Sequence, residues 1–182
     1  MKVHASAIPD VLILEPKVFH DERGFFLETW ERRNYEKAGI PADFVQDNHS
    51  FSAEGVLRGL HYQIGHPQGK LVRVTAGEVF DVAVDLRRRS PTFGRWVSFN
   101  LNGDNKRQIW IPPGFAHGFY VIKGPAEFQY KCSEYYAPSQ ERCLLWSDPA
   151  LEIDWPLPPG VRPSLSQKDS NGIHLAQAEV YW

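Results

Sequence analysis

The stretch KLVRVTAGEVFDVAVDL, residues 70–86, carries the clearest strand pattern in the chain. It contains two apolar runs, Lys70–Ala76 and Glu78–Leu86, separated by a glycine. Apolar residues occupy the even positions of the second run, at Phe80, Val82, Val84 and Leu86. Because successive side chains of a strand point to opposite faces, this alternation predicts a strand with one apolar face. The segment Ala76-Gly77-Glu78 predicts a tight turn that joins two antiparallel strands.

The other face of the second run is less ordinary. It carries two carboxylates, Asp81 and Asp85, among small apolar residues. A solvent-facing strand surface more often carries Lys, Thr or Glu. The sequence leaves open whether Asp81 faces a polar cavity or bulk water.

Short apolar runs separated by Gly, Pro and Asn recur along the whole chain, which predicts an all-β sandwich or barrel. The further predicted strands are Val11–Glu15, Gly24–Trp30, Phe44–Gln46, Val56–Tyr62, Gly94–Leu101, Arg107–Ile111, Phe119–Ile122 and Ala126–Cys132, with a turn at Lys123-Gly124-Pro125 between the last two. One helix is predicted at Glu31–Ala38, ended by Gly39 and Pro41. No repeat or linker interrupts the pattern, so we expect a single domain over residues 1–182.

Composition excludes several classes of protein. The chain has 182 residues, 42% of them hydrophobic and 23% charged, which is typical of a folded domain and not of a disordered one. A net charge of −2 without a long basic run argues against nucleic-acid binding, and no apolar stretch is long enough to cross a membrane. Two cysteines without a CxxC motif, and an N-terminus without the apolar core of a signal peptide, favour the cytoplasm.

Polar residues are concentrated in the segment Val56–Gln63. If the strand alternates regularly, Gly59 and His61 share one face, whereas Arg58 lies on the other. A glycine inside a strand often marks a close approach of backbone or ligand, and we expect one at Gly59.

The hexapeptide Pro112–His117, PPGFAH, fits the pattern P-x-G-x-x-H and resembles the second sequence motif of the cupins. Cupins are small jelly rolls that often bind a metal through three His and a Glu. The first cupin motif requires His-x-His, which His61-Tyr62-Gln63 breaks, so the ligand set is incomplete and no metal is predicted. No P-loop, Rossmann glycine motif or G-x-S-x-G is present.

The chain resembles the dTDP-4-dehydrorhamnose 3,5-epimerase family over nearly its whole length. The matching segments are 7–11, 21–26, 44–50, 56–63, 68–73, 79–85, 90–94, 114–119, Tyr130 and 165–169. The resemblance implies a cupin-like jelly-roll β-barrel with one or a few short peripheral helices. It also implies a homodimer without metal or organic cofactor, and a nucleotide-sugar substrate, dTDP-4-dehydro-6-deoxy-D-glucose. The product would be dTDP-4-dehydro-L-rhamnose, a step of dTDP-L-rhamnose biosynthesis.

Roles follow from the resemblance position by position. His61 resembles the catalytic base, Tyr130 the acid, Asp169 the carboxylate paired with the base, and Lys70 the group beside the C4 oxygen. The implied substrate-binding residues are Arg23, Glu28, Gln46, Asn48, Arg58, Lys70, His117, Glu141 and Lys168. Phe26 is a candidate platform for the thymine, and an aromatic-rich first strand region is a candidate dimer interface.

These residue types suit the chemistry. A C4 ketone acidifies the protons on C3 and C5, so the enzyme needs a base, an acid and a positive group at the enolate oxygen. A carboxylate on the far nitrogen of His61 would fix its tautomer, and the sequence offers both Asp169 and Asp81 for this position. Single-site 3- or 5-epimerases, 3,4-ketoisomerases and a non-catalytic sugar-nucleotide-binding cupin remain alternatives.

Overall fold

The computed structural model describes residues 1–40 and 43–182. The strands are β1 (Lys2–Ala5), β2 (Leu12–Glu15), β3 (Val18–Asp21), β4 (Gly24–Leu27), β5 (Gln46–Ser52), β6 (Leu57–Gln63), β7 (Lys70–Asp85), β8 (Trp96–Asn102), β9 (Gln108–Ile111), β10 (Phe115–Cys132) and β11 (Glu141–Cys143). The helices are α1 (Arg32–Lys37) and α2 (Gln167–Ser170), and short 3₁₀ helices cover Pro138–Gln140 and Leu175–Gln177. This confirms the predicted all-β class with short peripheral helices.

Two long strands, β7 and β10, organise the fold. They pair antiparallel along nearly their whole lengths, from Phe115 opposite Asp85 to Cys132 opposite Lys70. The first part of β7 pairs with β9, and the last part of β10 pairs with β5. The other ends pair with β8 and β6 respectively, and β11 extends the sheet beyond β6. Each long strand therefore contributes to both layers of a jelly roll.

The two turns predicted inside this region, at Ala76-Gly77-Glu78 and Lys123-Gly124-Pro125, are wrong, because both segments lie within continuous strands. The ladder between β7 and β10 shifts register between Lys123 and Glu127, beside these segments. Gly77 has φ +73°, and a Cβ there would lie 2.5 Å from the Pro125 carbonyl oxygen. The glycines therefore mark where the paired strands bend between the layers, not where the chain reverses.

Apolar side chains fill three clusters. The inner cluster lies between the layers and contains Val72, Val74, Val79, Ala83, Phe115, Phe119, Val121 and Phe128. A second cluster packs the outer face of β6 and β7, including Val82, Val84 and Leu86, against the C-terminal segment through Leu144, Leu151 and Trp155. The third joins Leu14, Leu71 and Trp110 to Tyr35 of α1 and to Ile40, which follows that helix. Both faces of the second half of β7 are thus covered, which explains why small apolar residues share the face of Asp81.

Several element boundaries differ from the predictions. The predicted helix is present but shorter, with Glu31 as its N-cap accepting a hydrogen bond from the Asn34 amide at 2.9 Å. Gly39 follows it at φ +80°, and the predicted stop at Pro41 lies outside the described residues. The strand predicted at Phe44–Gln46 begins only at Gln46. Sequence patterns missed three short strands, β1, β3 and β11. Within the described ranges, no helix combines the length and apolar character that a membrane span requires.

Candidate active site

A cavity of about 710 Å³ lies in the barrel, between side chains of β5, β6, β7, β10, β11 and α2. Ten of the predicted site residues line it: Gln46, Asn48, Arg58, His61, Lys70, His117, Tyr130, Glu141, Lys168 and Asp169. The structure therefore brings together residues from six elements that the sequence places up to 123 positions apart, from Gln46 to Asp169. Three predicted residues, Arg23, Phe26 and Glu28, do not line this cavity.

One wall of the cavity is formed by β5 and the last part of β10. Asn48 and Tyr130 are cross-strand partners, and Gln46 lies opposite Cys132. Because alternate residues of β5 share a face, Gln46, Asn48 and Ser50 all line the cavity. The Gln46 side chain donates to Asn48 Oδ1 at 3.0 Å, which holds the two amides in a fixed relation.

The prediction that Arg58 faces away from His61 is wrong, because both side chains line the cavity. The reason is a bulge in β6. His61 pairs with His117 and Arg58 with Phe119, so β6 spans this interval with one residue more than β10. Gly59, at the bulge, has φ +114°, and a Cβ there would lie 2.5 Å from Gly118 Cα. The close approach expected at Gly59 is therefore confirmed, and it is an approach to backbone.

His61 is held by a carboxylate. Its Nε2 lies 2.6 Å from Asp169 Oδ1, so the structure selects Asp169 over Asp81 as its partner. Burial lowers the pKa of His61, and this outweighs the opposing effect of Asp169. A neutral imidazole beside an ionised carboxylate must donate from the nitrogen that faces it. Nε2 therefore carries the proton, and Nδ1 keeps the lone pair.

Asp169 is fixed by three donors. Besides His61, the Gly59 amide donates to Oδ1 at 3.2 Å and the Ser166 hydroxyl donates to Oδ2 at 2.6 Å. Burial alone would raise the pKa of Asp169, but the hydrogen bonds from His61 and Ser166 outweigh it and hold the pKa at about 2. Ser166 is also the N-cap of α2, so one residue orients both the helix and the carboxylate. Sequence reasoning did not select Ser166.

Lys70 and Tyr130 are two further titratable groups that line the cavity. Lys70 is 8% exposed, and its ammonium donates to the His61 carbonyl oxygen at 3.5 Å. Burial lowers the pKa of Lys70 and raises the pKa of Tyr130. The tyrosine therefore holds its proton at neutral pH, as a general acid must.

Asp81 belongs to a second His–carboxylate pair. It is fully buried, and its Oδ2 lies 2.7 Å from His117 Nε2. Its other oxygen, Oδ1, has no hydrogen-bond partner among the described residues. Asp81 therefore lies in the barrel interior and not in bulk water, and its partner His117 lines the cavity.

The remaining charged groups are paired in ways that keep them near the cavity. Arg58 Nε donates to the buried Ser52 hydroxyl at 2.9 Å and Nη2 donates to the Phe51 carbonyl oxygen at 3.3 Å. Nη1 makes no hydrogen bond to the described residues and can donate to a ligand. Lys168 donates to Glu141 at 2.9 Å, and the Tyr136 hydroxyl donates to the same carboxylate at 3.1 Å. Tyr136 lines the cavity and is half-exposed, which suits stacking on a base. Sequence reasoning missed it, although the Tyr135-Tyr136 pair was a usable signal.

Arg23, Phe26 and Glu28 lie on or just after the separate β3–β4 hairpin. The Arg23 guanidinium pairs with Asp21 at 2.5 Å, and the Glu28 carboxylate accepts from Asn34 at 3.1 Å. Phe26 is 68% exposed. Within one copy of the chain, the hairpin presents these side chains to solvent.

A protein-family model described as dTDP-4-dehydrorhamnose 3,5-epimerase matches residues 5–177. The chain belongs to this family. The predicted family, the jelly-roll fold and the assignment as an isomerase are thereby confirmed.

Relatives of known name are similar to this epimerase in sequence and structure over nearly its whole length. A dTDP-4-dehydrorhamnose 3,5-epimerase of Pseudomonas aeruginosa is 60% identical over 182 residues, covering 100% of this chain and 99% of the relative. The crystal structure of a 3,5-epimerase from Legionella pneumophila in complex with dTDP-4-keto-L-rhamnose superimposes with a TM-score of 0.94 at 53% identity, covering 98% and 94% of the two chains. A Bacillus anthracis epimerase with TDP and pyrophosphate bound gives a TM-score of 0.91 at 43% identity, covering 95% and 98%.

Proposed function

We propose that this chain epimerises dTDP-4-dehydro-6-deoxy-D-glucose at C3 and C5 to give dTDP-4-dehydro-L-rhamnose, in dTDP-L-rhamnose biosynthesis. The observation that carries the proposal is the His61–Asp169 pair, at 2.6 Å, in one cavity with Lys70 and Tyr130. The similarity to a solved epimerase that binds dTDP-4-keto-L-rhamnose supports the choice of substrate.

In the first step, Nδ1 of His61 removes the proton from a carbon next to the C4 ketone. The electron pair of the broken C–H bond moves into the enolate, and the negative charge develops on the C4 oxygen. Asp169 stabilises the imidazolium that forms, and the Lys70 ammonium stabilises the oxyanion within a buried site. Each proton-transfer group contributes about 10²–10⁴-fold.

In the second step, the Tyr130 hydroxyl returns a proton to the opposite face of the same carbon, which inverts it. His61 pairs with His117 in the first part of β10, whereas Tyr130 lies in the last part of β10 opposite Asn48 of β5. The base and the acid thus belong to the two ends of β10, and we place them on opposite faces of the ring. C3 and C5 flank one carbonyl, and one base–acid pair serves both if the ring turns between the two inversions. His61 then passes its proton to solvent, and Tyr130 regains one.

The nucleotide part of the substrate requires cations and an aromatic surface. Arg58 and Lys168 are suited to the diphosphate, because both carry a positive charge at the cavity and Arg58 forms planar, multidentate hydrogen bonds. Tyr136 and Phe26 are candidates for contact with the thymine.

The positions of Arg23, Phe26 and Glu28 support a homodimer in which the β3–β4 hairpin of one copy completes the cavity of the other. The hairpin exposes three phenylalanines, Phe19, Phe25 and Phe26, which favours burial against another surface. Among the described residues the hairpin forms a two-stranded sheet of its own, so a partner can bind it.

Mixing two inactive variants tests this arrangement. The Arg23→Ala and His61→Ala proteins are purified separately and then mixed so that their subunits exchange. If the hairpin acts in the partner's site, each mixed dimer contains one site with both residues intact, and random exchange restores roughly a quarter of wild-type sites. If the mixture stays as inactive as its components while subunits demonstrably exchange, the shared site is wrong.

A nucleotide-sugar substrate and two free cysteines, Cys132 and Cys143, favour a cytoplasmic location. The catalytic proposal is tested by proton NMR of the reaction in D₂O with a chelator present. Deuterium at C3 and C5 with an L-configured product is expected. Deuterium at one carbon would identify a single-site epimerase, and tight dTDP binding without exchange would identify a binding module.

A further inference from the structure

Cys143 lies beside the proposed catalytic pair and has no role in the reaction described above. His61, Cys143 and Asp169 each offer one donor atom, and these three atoms lie within 4.8 Å of one another. Nitrogen, thiolate sulfur and carboxylate oxygen are the donors that zinc prefers in proteins.

The backbone fixes two of the three donors. Cys143 on β11 and His61 on β6 are direct cross-strand partners. The neighbouring pair, Leu60 and Leu144, exchanges both of its backbone hydrogen bonds, at 3.4 and 2.9 Å. In an antiparallel ladder the next pair is therefore a non-hydrogen-bonded one, where side chains approach most closely. A segment after α2 supports β11 on its other side, because the Ile173 amide donates to the Cys143 carbonyl oxygen at 3.0 Å.

The third donor is oriented by its own hydrogen bonds. The Ser166 hydroxyl and the Gly59 amide both donate to the Asp169 carboxylate. Groups of this kind, behind the ligands, orient donors in metal sites and raise metal affinity. His61, whose side chain is 25% exposed, connects the cluster to the cavity, which gives an ion a path of entry.

We infer that His61, Cys143 and Asp169 form a binding site for Zn²⁺ with a fourth position open to the cavity. A tetrahedral zinc ion with bonds of about 2.0–2.3 Å holds its donors roughly 3.2–3.8 Å apart. The His61–Asp169 pair, at 2.6 Å, must open slightly, and the Cys143 thiol must turn from the Leu144 carbonyl oxygen, which it contacts at 3.4 Å. On binding, the thiol proton leaves to solvent and the carboxylate binds ionised. The imidazole binds through Nε2 as the neutral ring, so its proton moves from Nε2 to Nδ1.

The consequence for activity rests on the proposed function. Zinc at this site engages the imidazole and the carboxylate that the epimerase uses to move a proton. Zinc is therefore a reversible inhibitor, and a nucleotide sugar that fills the cavity opposes its binding.

The test measures metal binding directly, so that it does not depend on the epimerase assay. The full-length protein is freed of metal with a chelator, dialysed and titrated with Co²⁺, which reports thiolate ligation by a near-ultraviolet charge-transfer band. One cobalt ion per chain is expected with this band, and Zn²⁺ should displace it. Cys143→Ala and Cys143→Ser should both lose the band, and zinc affinity should fall by at least about tenfold.

Cys132→Ser is the matched control, because Cys132 is the other free cysteine and lies outside the cluster. It should retain both the band and the zinc affinity. The proposal is overturned if the wild-type protein shows no thiolate band, or if the band survives in folded Cys143 variants. A protein that binds zinc through Cys143 but has no epimerase activity would refute the proposed function and leave the metal site intact.

Discussion

His61 and Asp169, which are 108 residues apart in sequence, lie with Nε2 and Oδ1 separated by 2.6 Å. This contact decides which ring nitrogen carries the proton and which is free to act as a base. It depends on two supports, the Ser166 hydroxyl and the backbone of the β6 bulge at Gly59. The chemistry proposed for the site follows from this pair.

Removing the base should stop the reaction without closing the site. His61→Ala is expected to abolish turnover. The dTDP affinity measured by calorimetry should stay near the wild-type value, because other residues are proposed to contact the diphosphate and the thymine. Activity within about tenfold of wild type would contradict the role of His61 as base.

Removing the charge of Asp169, the partner of His61, should lower kcat. Asp169→Asn is expected to lower kcat by about a hundredfold or more with little change in KM, because the imidazolium loses its ionised partner. Asp148→Asn is the matched control. Asp148 is also a buried carboxylate with a histidine partner, because its Oδ1 lies 3.2 Å from His174 Nδ1, but it does not line the cavity. Equal losses in the two variants would indicate a structural effect and not a catalytic one.

The acid is tested by separating exchange from inversion. Tyr130→Phe is expected to exchange a C3 or C5 proton with D₂O while losing net inversion, because His61 still removes the proton and can return it to the same face. Proton NMR measures both quantities in one sample. Unchanged formation of the L-configured product would exclude Tyr130 as the acid.

The bulge in β6 makes a prediction about stability. Gly59→Ala is expected to lower the free energy of unfolding through both a positive φ and a Cβ within 2.5 Å of Gly118 Cα. Gly39→Ala is its control, because Gly39 also has a positive φ, +80°, but no atom of the described residues beyond its chain neighbours lies within 4 Å of its Cβ position. Denaturant titration should show that Gly59→Ala costs about 1–3 kcal/mol more than Gly39→Ala. Equal costs would show that the close approach is relaxed at little cost.

The buried carboxylate of Asp85 should make the stability of the fold sensitive to acid. It is fully buried, and although burial raises its pKa, hydrogen bonds from Arg87, Ser90 and Thr92 outweigh this and hold the pKa at about 2, below the ordinary 3.8. Because the folded-state pKa is lowered, the ionised carboxylate stabilises the fold above pH 3.8, and this stabilisation is lost as pH falls towards 2. Asp85→Asn should therefore cost about 2 kcal/mol or more at pH 7. Urea titrations should show that the difference in the free energy of unfolding between wild type and Asp85→Asn becomes smaller below pH 4. A difference that does not change with pH would contradict the prediction.

The resemblance to the family identified most of the cavity-lining residues, but it did not show how they come together. Strict alternation along β6 predicts that Arg58 and His61 lie on opposite faces of the strand. This prediction is wrong because a bulge adds one residue to β6. Gly77 and Gly124 predict turns, but in the structure they lie where two long paired strands bend. Local patterns cannot separate these cases, because a bend and a reversal favour the same residues and differ only in what the strand pairs with afterwards.

The sequence alone determined the family, the all-β class and the residue types of the site, because these are recorded in motifs whose order along the chain is itself specific. Tertiary structure decided the pairings. Both Asp81 and Asp169 were available to His61, and the packing of α2 against β6 brought Asp169 to it while β7 carried Asp81 to His117. It also placed Cys143 beside the pair through the register of β11. Such choices depend on contacts between distant segments, and their distances are set only when the sheets close.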